Sequence, residues 1–166
     1  MATYNQAGRF IGGDPKAKRV PGTVASALYA GDFAVLASSK ASPASAMADA
    51  GTLAQNQEAA HDVFLGVCLD AKLAGDTRDV LIASAGEFKY PCAALGQAYD
   101  IGTYFGMAGT GAANAVGVAD QTVVPVATAN LAVGRLSRNA ASGATEVYLE
   151  IVGVLTTPHA GAQAMA

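Results

Sequence analysis

Residues 64–90 read FLGVCLDAKLAGDTRDVLIASAGEFKY. Leu65, Val67 and Leu69 alternate with other residues, Gly75-Asp76-Thr77 closes a connection, and Val80, Ile82 and Ser84 alternate again up to Gly86. Period-two alternation bounded by Gly and Asp marks a half-buried hairpin. The segment therefore reads as two strands joined by a loop. A third short strand follows at Glu87-Phe88-Lys89-Tyr90-Pro91, with Phe88 and Tyr90 on one face and Glu87 and Lys89 on a wet one. Pro91 ends that strand or places it on an edge.

A second stretch, residues 131–153 (LAVGRLSRNAASGATEVYLEIVG), repeats the plan. Gly66 and Gly75 are nine residues apart, as are Gly134 and Gly143, and Thr77 and Thr145 each follow two residues later. Val80, Ile82, Ser84 and Gly86 then correspond to Val147, Leu149, Ile151 and Gly153, with one residue inserted in the first copy. Upstream, Tyr29, Gly31 and Phe33 resemble Tyr99, Gly102 and Tyr104. The order turn, strand, insertion, hairpin thus occurs twice, which predicts a pseudo-repeat inside one all-β domain.

The 166 residues suffice for one domain with a real core. A net charge of −3 argues against nucleic acid as the main partner, because phosphate binding needs a basic patch. Charged residues make up only 14%, against an average of about 25%, so the surface is bland. Such surfaces are usually covered in an assembly. No run approaches the roughly 18 apolar residues of a membrane span. The start, MATYNQAGRF, is polar, so neither a secretion signal nor an anchor is expected, and synthesis in the cytoplasm is.

Taken in order, residues 1–24 read as an extended arm, broken by Gly8, Gly12, Gly13, Pro15, Pro21 and Gly22. Such a segment either frays or orders on a partner. In the second case Tyr4, Phe10 and Ile11 are its anchors, and Lys16, Lys18 and Arg19 meet an acidic surface. Residues 25–155 form the β domain. Within it, a turn at Ala30-Gly31-Asp32 leads into a strand at Phe33–Leu36. Residues 40–60 read as a loop with one short helix, which Pro43 could start and Gly51 would interrupt. Residues 108–122 read as a glycine-rich loop before a short edge strand at 123–127, and residues 156–166 as a disordered tail.

No catalytic constellation stands out. Gly109-Thr110-Gly111-Ala112-Ala113-Asn114 resembles a dinucleotide fingerprint without its third glycine, but the following residues are strand-like where that motif needs a helix. His61 beside Asp62 reads as a solvated loop pair, and His159 falls in the tail; zinc needs three or four convergent ligands. Cys68 and Cys92 fit no metal or redox spacing and read as buried small side chains, with a disulfide between them left open. The aspartates at 32, 70, 76, 79, 100 and 120 read mostly as turn residues. No cofactor, no metal and no enzymatic activity are expected.

The run Gly66-Val67-Cys68-Leu69, Asp76-Thr77, and Val80 through Ser84-Ala85-Gly86-Glu87-Phe88-Lys89-Tyr90 resembles the core of phage head decoration, or capsid cement, proteins. Ala30-Gly31-Asp32-Phe33-Ala34-Val35 is similar to their upstream "G-D-x-V" strand. Gly134-Arg135-Leu136 with Gly143 to Leu149 is similar to their C-terminal phrase. The likeness spans roughly residues 28–153 and departs at the 40–60 and 108–122 insertions. It implies a compact, β-tulip-like sandwich or barrel with one or two short helices in the insertions. It also implies a homotrimer on the outer surface of the virion, at capsid three-fold sites, with the N-terminal arm docked on the major capsid protein. Arg78 and Arg135, beside the hairpins, are further candidate contacts. Two other readings remain: another structural β protein of a phage particle (fibre base, head-spike foot or tail component), and a small ligand-binding or enzymatic β-barrel.

Overall fold

A computed structural model describes residues 8–13, 15–110 and 117–153. Two strands, β1 (Arg9–Gly12) and β2 (Ala17–Pro21), come first. They are followed by β3 (Phe33–Ala37), β4 (Lys40–Pro43), α1 (Leu53–Asp62), β5 (Phe64–Cys68) and β6 (Asp79–Ala83). Then come β7 (Ala85–Pro91), β8 (Tyr104–Gly109), β9 (Val118–Pro125), β10 (Gly134–Leu136) and β11 (Glu146–Val152). The fold is all-β, as the alternation predicts, with one short helix.

The strands form two antiparallel sheets, ordered β2-β6-β5-β3-β4 and β1-β7-β11-β10-β8-β9. With β1 set aside, the orders are the same: β2–β6 and β7–β11 are two copies of one five-stranded unit. The bonding repeats in detail. Gly31 N–H donates to Cys68 O at 2.8 Å and Gly102 N–H to Leu136 O at 2.8 Å. Cys68 N–H donates to Asp32 O, and Leu136 N–H to Thr103 O. Leu69 bonds Leu81 as Ser137 bonds Tyr148. Phe33 faces Val67 as Tyr104 faces Arg135, and Val67 faces Ala83 as Arg135 faces Glu150. The glycine spacing therefore reports a true structural repeat. One pairing shifts: Leu28 and Lys72 exchange both backbone bonds as Tyr99 and Ala140 do, so Leu28, not Tyr29, is the counterpart of Tyr99. Leu28 and Tyr99 turn inward, while Tyr29 turns to solvent.

Each five-stranded unit curls until its first and last strands in sheet order touch at a single parallel bridge, Gly22 to Ala41 and Cys92 to Val123, without closing into a barrel. The first unit holds a small core of Leu28, Ala34, Ala41, Leu65, Cys68, Val80 and Ile82. The main core fills the second unit and extends across to Phe33, Val35, Phe64 and Val67 on the outer face of the first. Alternation is clean where one face is wet: β7 and β11 bury every second residue.

Three expectations need correction. Residues 9–12 and 17–21, read as part of an arm that frays or orders on a partner, are ordered on the domain itself: β1 pairs with β7 and β2 with β6. The ribbon turns from one sheet to the other beside Ser84, where Ala85 N–H donates to Pro15 O. The helix starts after Gly51, at an N-cap where Thr52 Oγ1 accepts from Gln55 N–H, rather than at Pro43. Strand β9 starts at Val118, inside the stretch read as a loop, and ends at Pro125. The tail expectation at 156–166, and most of the glycine loop, lie outside the described residues.

Candidate functional site

The residues expected to contact a partner separate into two edges. Phe10 and Ile11 sit on β1, where the Phe10 ring packs edge-on against Phe88 with centroids 5.5 Å apart. Lys16, just before β2, and Lys18 and Arg19 on it are exposed, and Arg19 reaches Asp70 at 3.8 Å. Tyr4 lies outside the described residues. Arg78 pairs with Asp76 at 2.8 Å and Arg135 with Glu150 at 3.1 Å, both exposed.

The outer face of β7 and β11 is a lattice of paired charges. Arg138 donates to Glu87 from Nε at 2.9 Å, and its guanidinium lies 4.1 Å from the Tyr148 ring centre. Lys89 Nζ is 2.6 Å from Glu146. The Arg138 hydrogen bond, and then that of Ser137, hold the Glu87 carboxyl below its usual range. Beside this lattice, on the same sheet, lies a groove of about 250 Å3 lined by His61, Tyr104, Ala132, Val133, Glu150 and Val152, among others. Its one carboxylate, Glu150, is already paired with Arg135. His61 is not a solvated loop residue: it sits in the last turn of α1 with Nδ1 2.7 Å from Ala132 O, and so pins the helix to the second unit.

Three exposed apolar side chains stand on the loops at one end of the first unit. Val24, Tyr29 and Leu73 are 44%, 52% and 66% exposed. Their loops are tied by the Leu28–Lys72 bonds and by Gly75 N–H donating to Val24 O. Beneath them Lys72 is fully buried, its Nζ donating to Thr23 O and Leu73 O. A buried ammonium capped by backbone carbonyls fixes these loops in one shape.

Between the units lies Asp32, 3% exposed. Its carboxylate accepts from Tyr29 N–H at 2.8 Å and from the Gln121 side chain. Burial raises its pKa despite those bonds, and Asp120 adds to the rise. Beside it the Tyr90 hydroxyl donates to Gly31 O, and the Tyr90 ring stacks on Phe33 at 4.4 Å. Asp32 is thus a junction group rather than only a turn residue. Both cysteines are free and buried, and burial pushes the Cys68 thiol up to about 12. Among the described residues no cluster of three His, Cys, Asp or Glu could hold a metal ion.

The sequence reading missed the groove and the exposed Val24, Tyr29 and Leu73. The signal for the first was present: the repeat pairs Tyr104 with Phe33, a residue of the first unit that the second unit buries completely. No protein-family model matches the chain, and no curated protein matches it.

Proposed function

We propose that the chain is a structural protein of a virus particle, a decoration protein that binds the outer surface of a phage head and bridges major capsid protein subunits as a homotrimer. The observation that carries this reading is the exposure of Val24, Tyr29 and Leu73 on neighbouring tied loops. Three large apolar side chains stand exposed on rigidly tied loops of a chain with only 14% charged residues. Such exposure is stable in water only at a cost that a partner surface removes. The residues resembling decoration proteins support the reading, because they sit where the fold is made: Gly31-Asp32 at the junction of the units, Ser84 at the corner between the sheets, and Ala85–Pro91 along β7.

In this reading the N-terminal ribbon docks without detaching. Lys16, just before β2, and Arg19 on it are exposed and bring positive charge toward an acidic surface, while Phe10 offers a half-open ring on β1. Three copies tied in one trimer bind with high effective concentration, so each contact can be weak. The test is co-sedimentation with undecorated phage heads, comparing the wild-type chain with Leu73→Glu. Wild type is expected in the pellet and the variant in the supernatant. A wild-type chain that stays in the supernatant overturns the capsid reading.

A further inference from the structure

The contact between the two units is not symmetric. The first unit presents the outer face of its sheet: Phe33, Val35, Phe64 and Val67, all at most 2% exposed. The second unit receives it along the seam where its strands β7 and β9 meet. There Phe33 stacks on Tyr90 of β7, Asp32 accepts from Gln121 of β9, and the Ser45 hydroxyl donates to Asp120 of β9. An outer face on one unit and a seam on the other make the contact head-to-tail. The internal repeat then supplies one further copy of each surface, and both are open.

The outer face of the second unit is the groove. By the register, Tyr104 stands where Phe33 stands and Arg135 where Val67 does. Counting back from Gly134 and Gly66, Ala132 occupies the place of Phe64. Loss of the Phe64 ring leaves the hollow, and Tyr104, 40% exposed, forms its rim. The free seam belongs to the first unit, between β2 and β4. Pro21 and Pro91 match there, as do the bridges Gly22–Ala41 and Cys92–Val123. Val20 therefore takes the place of Tyr90, and Leu36 that of Met107. Tyr90 and Met107 are sealed, whereas Val20 and Leu36 are half-buried and flanked by exposed Lys18 and Lys40.

We infer that the groove at Tyr104, Ala132 and Val152 receives the Val20–Leu36 seam of a second copy of this chain, repeating between molecules the contact that joins the two units within one. The occupant is a second copy because the two open surfaces are the counterparts of the two surfaces already joined. Arg135 and Glu150 in the groove pair with each other, so the fit between the two surfaces is one of shape rather than of net charge. A contact of this kind is heterologous: it closes into a ring if the rotation permits and otherwise grows as a chain. The inference identifies the self-contact of the assembly proposed above but does not rest on capsid binding. It reassigns Lys18 from the capsid-facing set to the self-contact.

The test uses the full chain without capsids, so its failure is separate from that of the capsid reading. One variant, Tyr104→Glu, blocks the groove. Another, Lys18→Glu with Lys40→Glu, blocks the seam at exposed positions. Thermal melts check that both remain folded. Light scattering should give a wild-type mass of more than one chain and a single-chain mass for each variant. An equal mixture of the two variants should form a two-chain particle and nothing larger, since each supplies the surface the other lacks. A single-chain wild type overturns the inference, as does an assembly that neither folded variant breaks, which would place the self-contact elsewhere on the chain. Two folded variants that stay single when mixed overturn the head-to-tail geometry.

Discussion

Asp32 shows what one residue can do where two units meet. Its carboxylate is removed from water and has two donors, Tyr29 N–H and Gln121, with Asp120 nearby as a repelling charge. Burial outweighs the donors, so its folded pKa lies above the unfolded value of about 3.9. Between those two values the folded chain holds a proton that the unfolded chain has lost. Its contribution to stability is therefore least above the folded pKa, grows as pH falls through it, and is complete below the unfolded value. Glu87 works in the opposite direction. Its pKa is lowered by Arg138 and Ser137, so its contribution is present above the unfolded value and is lost as pH falls through the folded one. Urea midpoints of wild type and Asp32→Asn should therefore diverge in favour of wild type as pH drops from neutral to about 4. A difference that is flat with pH would remove Asp32 as a titrating junction. The sequence shows Asp32 only as a turn residue beside Gly31, because its burial comes from Gln121, which lies 89 residues away.

At the scale of strands, close approach decides what the hairpins tolerate. An added Cβ at Gly66 would lie 2.0 Å from Ala83 O, and Gly66 has φ +143°, so both space and backbone forbid a side chain where β5 meets β6. Gly75, at φ +86°, has nothing within 4 Å. Gly66→Ala should cost about 3 kcal/mol or more, and Gly75→Ala about 1 kcal/mol of backbone strain. Urea denaturation of the two variants checks the order, and equal losses would mean that the β5–β6 spacing relaxes. Strands with one wet face were legible in the sequence: β7 and β11 alternate, whereas β5 is buried on both faces. Strand β4 was not legible, because the turn joining it to β3 is Ser38-Ser39. Both serines hold positive φ, 49° and 63°, where Asn-Gly would have announced a two-residue hairpin. Helix α1 was legible in existence but not in position. It docks through polar side chains, with Gln57 donating to Met107 O and Asn56 to Asp49, so no apolar stripe marks its face. The groove was half legible. Tyr104 could be read as the partner of Phe33 in the repeat, but its exposure depends on which unit lies in front.

The whole molecule is two copies of one plan joined out of register with each other's environment. The first unit gives its outer face to the second and keeps a small core of its own, while the second fills its curl with Phe88, Tyr90, Phe105, Leu136 and Leu149 and closes over Phe33 and Phe64. Neither unit is complete without the other. Separation would expose Phe33, Val35, Phe64 and Val67 on one side and Tyr90 on the other, and would leave Asp32 without Gln121. Full burial of each large apolar side chain is worth about 1.5–3 kcal/mol, so opening this contact costs as much as a small domain has to lose. The N-terminal ribbon adds to the coupling, since β1 pairs with the second unit and β2 with the first, with only residues 13–16 between them. The chain should therefore unfold in a single cooperative transition despite its duplicated plan, with the calorimetric and van't Hoff enthalpies in agreement. Phe33→Ala should lower the midpoint of that one transition without splitting it, because the lost ring belongs to both units. Two resolved transitions in the wild-type chain would show that the units stand alone, and the shared core would then be a contact between finished domains.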